Sequence, residues 1–289
     1  MFLGIDVSKS TLDAALLDEG TRPRHKVFSN DAAGHTALIA WLGEHACPPV
    51  HACLEATGTW AQEAALALHQ AGHMVSLVNP ARTHAFGRSQ LKRTKTDKTD
   101  AILIAEFCRM HNPPIWTPQS PQVQQLQGLV RRLEHLQGML TMEENRLGSG
   151  GLSPQIEESL QEHIAYLTHQ IEKTRRQIKD RIDQNPDLKE QADLLESIPG
   201  IGATTAALLL AELGDIAPFR SARQVAAFAG LVPRLRESGT SVRGRSRLSK
   251  VGSSRLRKSL YFPAITALRF KALIKAFDQS LWSEALSTR

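Results

Sequence analysis

The sequence predicts an α/β domain at the N-terminus, then a long helical hairpin, then a mainly helical C-terminal region. Three observations lead to this prediction. Short apolar β-like runs alternate with helical segments in the first part of the chain. Leu and Ile then recur every three or four residues, and a Gly- and Pro-punctuated apolar segment comes after them. We therefore expect three regions, at 1–118, 119–188 and 189–289.

The N-terminal region begins with three β-like segments in succession and continues with alternating helices and strands. The predicted strands are 2–8, 13–18, 25–30, 50–56 and 74–80, and the predicted helices are 35–45, 59–72 and about 99–111. Three successive strands followed by βα alternation imply a mixed sheet with helices on its faces. This order is that of the RNase H-like fold.

The middle region is predicted to form two long helices, at 122–146 and 154–183. Leu126, Leu129 and Leu133 begin a stripe of apolar residues in the first helix, and GSGG at 148–151 separates it from the second. The pattern is typical of an antiparallel coiled-coil hairpin that pairs with a second copy of itself. It equally fits two amphipathic helices packed on their own domain.

The segment LLESIPGIGATTAALLLAEL, which begins at residue 194, predicts a helix-hairpin-helix. In such a motif Gly200 and Gly202 let backbone N–H groups approach a nucleic-acid phosphate at a helix N-terminus. A simple turn between two helices is the alternative, because Pro-Gly also turns chains that bind no nucleic acid.

The excess of positive over negative charge is concentrated in one segment of the chain. The net charge is +6, yet residues 231–260 hold nine basic residues and the single acid Glu237. An Arg-rich stretch with Gly and Ser favours phosphate binding over a merely solvated loop. The candidate nucleic-acid-binding residues are Gly200, Gly202, Arg234, Arg236, Arg243, Arg245, Arg247, Lys250, Arg255, Arg257 and Lys258.

Composition excludes several classes of protein. Hydrophobic residues make up 42% of the 289 residues and charged residues 22%, which is typical of a globular chain and not of extensive disorder. No apolar run approaches the roughly 18 residues of a membrane span, and the N-terminus lacks a signal-peptide pattern. We expect a cytoplasmic protein that makes no membrane contact, with Cys47, Cys53 and Cys108 reduced and mostly buried.

Four acidic residues stand at unusual positions. Asp6 lies inside the first apolar strand and Glu55 at the end of the fourth, where an unpaired charge would cost free energy. Asp97 and Asp100 start a helix three residues apart and repel each other. Adjacent first and fourth strands would bring these carboxylates together as a Mg²⁺ or Mn²⁺ site. Asp97 and Asp100 could instead serve only to cap the helix and complement its dipole.

Four N-terminal segments resemble the DEDD-type, RuvC-like domain of the IS110 family of insertion-sequence transposases: GIDVSK, CLEATGTW, NPARTHAF and KTDKTDA. Two later segments resemble the C-terminal transposase domain of that family: LLESIPGIG and FAGLVPRLRESGTSVRGRSRLSKVGSSRLRKSLYFPA. The likeness extends from about residue 2 to about residue 270, with the motifs in the family order.

The resemblance implies a DNA recombinase that forms a covalent phosphoserine intermediate and is guided to donor and target DNA by a non-coding bridge RNA. It places the DEDD quartet on Asp6, Glu55, Asp97 and Asp100, and the nucleophile on Ser238. It also implies a homo-oligomer in which the acids of one subunit meet the serine of another, and an enzyme that is nucleoid-associated when active. From chemistry alone, Ser241, Ser246 and Ser249 are rival nucleophiles in the same basic run.

Two other functions fit the same residues. A RuvC-like structure-specific nuclease would use water as the nucleophile, with the serine region only holding DNA. A non-catalytic protein could bind nucleic acid without recombining it. The family usually continues for several dozen residues beyond YFPAITALRF, so the resemblance leads us to expect a short or interrupted family member.

Overall fold

The computed structural model describes residues 1–280 except 19, 21, 46–48, 57, 91–95, 215, 217–218, 239–241, 273 and 277–278. Side chains are described for the same residues apart from 59, 235–238 and 242–245. The chain divides into two units, Met1–Pro118 and Gln119–Arg289. Within the described residues, no helix combines the length and apolarity that a membrane crossing requires.

The first unit is built on a five-stranded mixed sheet. Its strands are β1 (Phe2–Val7), β2 (Thr11–Leu17), β3 (Arg24–Ser29), β4 (His51–Glu55) and β5 (Met74–Val78), in the order β3-β2-β1-β4-β5. β1 and β2 pair antiparallel, as do β2 and β3, whereas β1, β4 and β5 run parallel. The predicted adjacency of the first and fourth strands is confirmed, and the topology is compatible with an RNase H-like fold.

Helices cover both faces of this sheet. They are α1 (Ala32–His45), α2 (Thr59–Gln70), α3 (Pro80–Ser89) and α4 (Asp97–His111). Alternate residues of a strand point to opposite faces, so Leu3 and Ile5 enter the apolar core that includes Leu38 and Leu68 of α1 and α2. Gly4 lies on the other face, against α4.

The sequence missed one helix in this unit. The predicted strand at 74–80 ends at Val78, because Asn79 is the N-cap of α3 and its side chain accepts a hydrogen bond from the Ala81 N–H. Pro80 occupies the first helical position, where its fixed φ and missing N–H fit a helix start. The Asn-Pro pair therefore marks the beginning of a helix here and does not belong to the preceding strand.

The second unit contains the two long helices where the Leu and Ile spacing predicted them, α5 (Pro121–Leu147) and α6 (Pro154–Asp183). They pack against each other, with Leu133 and Ile171 among the residues of the shared apolar core. α8 (Ala203–Leu213) contributes to this core. A hydrogen bond also joins it to α5, because the Gln127 Nε2 donates to the Ala211 carbonyl at 2.6 Å.

The remaining elements of the second unit are α7 (Pro186–Glu196), α9 (Ala222–Phe228), β6 (Pro233–Ser238), β7 (Val242–Leu248), α10 (Ser254–Ser259) and α11 (Tyr261–Phe270). The sequence predicted helices for this region but no strands, whereas β6 and β7 form an antiparallel hairpin inside the basic segment. Arg at every second position, in RLR and RGRSR, was the available signal for these strands.

Candidate active site at the carboxyl ends of the strands

Asp6 and Glu55 stand at the same edge of the sheet. β1 and β4 are parallel neighbours, and their register pairs Ile5 with Leu54, the residues immediately before the two acids. Asp6 shares the face of Gly4, and Glu55 shares the face of Cys53, the partner of Gly4. The two carboxylates therefore lie on one face, at the carboxyl ends of adjacent strands, and both are half-buried.

The first turn of α4 lies at the same edge. A Cβ atom on Gly4 would come within 2.2 Å of the Ala101 carbonyl oxygen and of the Ala105 N–H nitrogen. Two residues along a strand advance about 6.6 Å, and four residues along a helix about 6 Å. Asp6, two residues beyond Gly4, is therefore level with the turn that holds Asp97 and Asp100.

Threonines, and not these aspartates, cap α4. Thr96 is the N-cap, its Oγ1 accepts from the Thr99 N–H at 3.2 Å, and the Thr99 Oγ1 lies 2.9 Å from the Thr96 N–H as the reciprocal acceptor. Helix capping therefore does not account for Asp97, which is exposed, or Asp100, which is half-buried. Both acids still lie in the first turn of α4, where a carboxylate complements the helix dipole; of the two structural explanations, only capping is removed.

The pKa of Asp6 responds to the other three predicted acids, which shows that all four lie near one another. Its pKa rises from 3.8 to about 6, first because burial disfavours the carboxylate and then because Glu55, Asp100 and Asp97 repel its charge. A smaller contribution comes from Asp13, the cross-strand partner of Asp6. Negative charge thus accumulates at this edge of the sheet.

Such a set of hard oxygen donors suits a divalent cation. The described part of the chain contains no group of three or more His, Cys, Asp or Glu side chains arranged closely enough to hold a metal ion as they stand. The donor chemistry and the charge fit a cation, while the carboxylates would still have to move closer to share one. Mutual repulsion between unneutralised acids is sufficient to keep them apart.

The sequence prediction did not include two side chains that support this edge. Thr83 of α3 is 1% exposed and donates a hydrogen bond from its Oγ1 to Glu55 Oε1. Asp13 forms an ion pair with His25, with 2.9 Å between Oδ1 and Nε2. In the sequence alone, the segment NPARTHAF contributes only to the family resemblance. An Asn N-cap four residues before Thr83 was the local signal that placed this hydroxyl on a helix.

Beneath the acids, the same face of the sheet holds a small apolar core. Cys53 and Cys108 are both free and buried in it, beside Val78 and Phe86. This confirms the expectation for these two thiols, whereas Cys47 lies outside the described residues.

Ser238 of the second unit is the last residue of β6, with Val242 as its cross-strand partner in β7. It therefore sits at the end of the basic hairpin. Its side chain, those of Arg236, Arg243 and Arg245, and the rival Ser241 fall outside the described part of the chain. The other two rivals are described: Ser246 is exposed and Ser249 is half-buried.

The other predicted basic residues fall into two groups. Arg234, Arg247, Lys250 and Lys258 are exposed. Arg255 is instead held between two acids, with its Nε 3.2 Å from Glu134 Oε2 and its Nη1 3.3 Å from Glu212 Oε1.

Arg257 is also engaged within the unit, because its Nη1 donates to the Ala229 carbonyl at 3.0 Å. Arg255 and Arg257 thus have structural partners, and the exposed residues are the ones that a phosphate can reach without rearrangement.

The two predicted turn glycines are in different surroundings. Gly200 has a φ of +96°, and a Cβ there would come within 2.8 Å of Thr266. Its missing side chain therefore allows α11 to pack closely. Gly202 is the N-cap of α8, and among the described residues no atom beyond its chain neighbours and its own helix lies within 4 Å of where its Cβ would be. The backbone at this helix start is open to that extent.

Comparison with known proteins covers both units. A family model described as transposase of the IS116/IS110/IS902 family matches residues 192–279, and a model of the IS110 DEDD transposase matches residues 3–149. The pilin gene-inverting protein of Moraxella bovis is 36% identical over 285 residues, which cover 96% of this chain and 88% of that protein.

A transposase for the insertion sequence IS1328 of Yersinia enterocolitica is 31% identical over 292 residues, covering 89% of this chain and 81% of the relative. The likeness therefore extends over both units and includes all four acids and Ser238 within the aligned lengths of the chain.

Proposed function

The chain belongs to the IS110 family of transposases, and we propose that it recombines DNA through the four acids at the sheet edge together with Ser238. The family resemblance seen in the sequence is thereby confirmed. Its relatives are named as insertion-sequence transposases and as pilin gene inverters, so this chain is a DNA transposase or recombinase.

The observation that carries the proposal is the position of Asp6 and Glu55 at the carboxyl ends of adjacent parallel strands, with the helix that carries Asp97 and Asp100 packed on β1. Burial and the three neighbouring acids disfavour the Asp6 carboxylate. The helix dipole favours only Asp97 and Asp100, so it does not offset the repulsion at Asp6 and Glu55, and such repulsion is typical of acids that bind a ligand. Asp6, Glu55, Asp97 and Asp100 would hold Mg²⁺ or Mn²⁺, which when bound neutralises charge on a phosphate and lowers the pKa of a bound hydroxyl.

The protein itself contributes orientation. Thr83 fixes Glu55 through its hydrogen bond to Oε1, and direct packing of α4 on Gly4 fixes the helix that carries Asp97 and Asp100. Neither support depends on the acids being neutralised, so the elements that carry the acids are in place before DNA arrives, although the carboxylates would still move closer to share a cation.

Ser238 would be the nucleophile. Its Oγ attacks a DNA phosphorus, a phosphoserine ester forms, and one DNA strand leaves with a free hydroxyl end. The ester keeps the energy of the broken phosphodiester, so strands can be exchanged and rejoined without ATP. Support comes from its place at the end of a hairpin in the basic segment. Arg234 and Arg247 pair with each other near the opposite end of that hairpin, and both are exposed and can bind phosphates.

Guidance by a bridge RNA would supply sequence choice. The basic segment, with Lys250 and Lys258 also exposed, suits backbone phosphates, which carry no sequence information directly. Base pairing between an RNA and DNA would then read the sequence, with the protein recognising backbone and shape.

Assembly into a dimer or larger oligomer is the last part of the proposal. The apolar residues of α5 and α6 are largely used within their own unit. Three large side chains nevertheless remain about half exposed on these helices: Met142 at 53%, Ile156 at 51% and Tyr166 at 56%. Exposed apolar residues on long helices suit contact with a second copy.

One experiment separates this function from its alternatives. The protein is expressed together with the non-coding DNA that flanks its element, purified, and mixed with Mg²⁺ and DNA carrying the element ends. The products are then resolved on denaturing gels with and without protease. A protease-sensitive covalent protein–DNA adduct supports the serine mechanism. Free cleaved ends without an adduct would indicate a nuclease that uses water, and binding without any cleavage would indicate a non-catalytic protein. Sequencing the nucleic acid that co-purifies tests for the RNA.

A further inference from the structure

An exposed tryptophan stands at the same edge of the sheet as the acids. Trp60 lies in the first turn of α2, five residues after Glu55, and its side chain is 47% exposed. By contrast Trp41 is 7% exposed and packs in the core of the same unit. Leaving the largest apolar side chain half in water forgoes burial energy, so this position invites a functional explanation.

Lys9 lies over the Trp60 ring. Its Nζ is 5.7 Å from the ring centroid, within the range of a cation–π contact. Lys9 follows β1 three residues after Asp6 and is exposed. β1, which carries Asp6, is thus followed by a lysine, and β4, which ends at Glu55, is followed by a tryptophan, and these two side chains contact each other.

A hydrogen-bond network centred on Asn30 holds these two segments together. The Asn30 Nδ2 donates to the Ser8 carbonyl at 2.9 Å and to the Trp60 carbonyl at 3.2 Å. The Asn30 Oδ1 in turn accepts from His35 Nε2 at 3.0 Å, and His35 is buried. Asn30 therefore holds the backbone at Trp60 and at Ser8, the residue before Lys9, close to each other.

We propose that Trp60 and Lys9 form a stacking platform for an unpaired base of the DNA strand that is cut, with the Lys9 ammonium bound to a neighbouring phosphate. This rests on the proposed function, because it assigns a substrate contact to the same site. An aromatic face beside a cation suits a nucleotide, whose base stacks and whose phosphate is anionic. A cationic ligand is disfavoured, since Lys9 already lies over the ring and repels it.

The platform accepts any base, because stacking on an aromatic ring tolerates every base. It therefore suits an enzyme whose sequence choice comes from elsewhere. It would hold the strand near the acids once the duplex has opened.

The test uses the full chain and short DNA with the fluorescent base 2-aminopurine at unpaired positions next to the cleavage point. Stacking of one base on an aromatic ring strengthens binding by about tenfold or more. Trp60→Ala should therefore weaken binding of this DNA about tenfold and abolish the protein-dependent change in 2-aminopurine fluorescence. Trp60→Phe should retain most of both signals, and Lys9→Ala should weaken binding and reduce its salt dependence.

Met110→Ala is the matched control. Met110 is 61% exposed at the other end of α4, so this change also removes an exposed apolar side chain from the first unit. It should leave both signals unchanged. Equal melting temperatures would show that Trp60→Ala is folded.

Fluorescence and affinity that are the same in Trp60→Ala as in the parent would overturn the platform, as would a loss confined to an RNA oligonucleotide of the same sequence. Asp6→Asn separates this from failure of the proposed function. It should abolish cleavage and keep the 2-aminopurine signal. Undiminished cleavage by Asp6→Asn would refute the role of the acids, whatever Trp60 does.

Discussion

Gly4 lies directly beneath Ala101, so that a Cβ atom on Gly4 would come within 2.2 Å of the Ala101 carbonyl oxygen. The missing side chain lets the backbone of β1 and the helix α4 approach each other. This contact sets the height of Asp97 and Asp100 above Asp6, which is two residues further along β1. The missing side chain of Gly4 therefore contributes to the distance between Asp6 and the first turn of α4.

Gly4→Ala should destabilise the protein by about 2 kcal/mol, because the added methyl meets helix backbone that cannot rotate away. It should also lower DNA cleavage more than the loss of folded protein explains, since α4 must shift. The control is Gly43→Ala in α1, where no described neighbour lies within 4 Å of the new Cβ and where Ala should stabilise the helix by about 0.5–1 kcal/mol. Denaturant unfolding and cleavage assays would measure both. Full activity in Gly4→Ala would contradict this role.

The stability of the metal-free protein should fall as the pH rises from about 4 to about 6, through the contribution of Asp6. Its folded pKa of about 6 lies above the ordinary value of 3.8, so the folded state binds the proton more tightly in this window and loses that advantage as pH rises. Asp6→Asn stays neutral. It should therefore raise the melting temperature of the metal-free protein at pH 7 and change it little at pH 4.

Millimolar MgCl₂ should raise the melting temperature of the parent at pH 7 and have a smaller effect on Asp6→Asn, since a bound cation relieves the repulsion. Asp180→Asn, at an exposed position of α6, controls for the loss of one negative charge. A lower melting temperature for metal-free Asp6→Asn, with cleavage retained, would show that Asp6 is structural.

Arg255 and Arg247 should respond differently to replacement by Ala. Arg255→Ala leaves Glu134 and Glu212 without their partner and should cost about 2 kcal/mol of stability. Arg247→Ala, at an exposed position, should leave the melting temperature unchanged, weaken DNA binding and reduce the salt slope of log K by about 1. Thermal unfolding and salt titrations of DNA binding would distinguish the two. A loss of stability in Arg247→Ala, together with weaker DNA binding and unchanged stability in Arg255→Ala, would contradict this assignment.

Self-association should depend on the exposed apolar residues of the long helices. Replacing both Met142 and Ile156 by Ser should shift the protein toward monomer in sedimentation velocity, without loss of helix content, because both side chains are about half exposed. Leu133→Ser should instead unfold the unit, since Leu133 is 2% exposed. A parent protein that is monomeric at every concentration, both free and on DNA, would exclude the oligomer.

Ser238→Ala should abolish the covalent protein–DNA adduct while nucleic-acid binding persists, because only the nucleophilic hydroxyl is removed. Ser241→Ala should lower activity only partly, as expected for the loss of a hydrogen bond to phosphate or backbone. Denaturing gels of the DNA products would score both variants. An adduct with Ser238→Ala but none with Ser241→Ala would move the nucleophile by three residues. An adduct with both would direct attention to Ser246 and Ser249.

Local patterns in the sequence were enough to predict much of the fold. The strands that carry Asp6 and Glu55 were visible as short apolar runs, and the helix that starts at Asp97 and the two long helices as apolar residues every three to four positions. The oddity of an acid at the end of a buried strand was also visible, because burial of a charge is unfavourable in any fold. Family membership could be inferred from short motifs in order.

Other features depended on which surfaces come together in three dimensions. Nothing local distinguishes Arg255, bound to Glu134 and Glu212, from the exposed Arg247 nearby, since its partners lie on distant helices. The same holds for Asn30, which joins Ser8 to Trp60. The role of Gly4 emerges only once α4 lies on β1. Periodicity shows which face of an element is apolar, but the partner of that face is decided by packing across long sequence separations, and that packing assembled the acids and separated structural from exposed arginines.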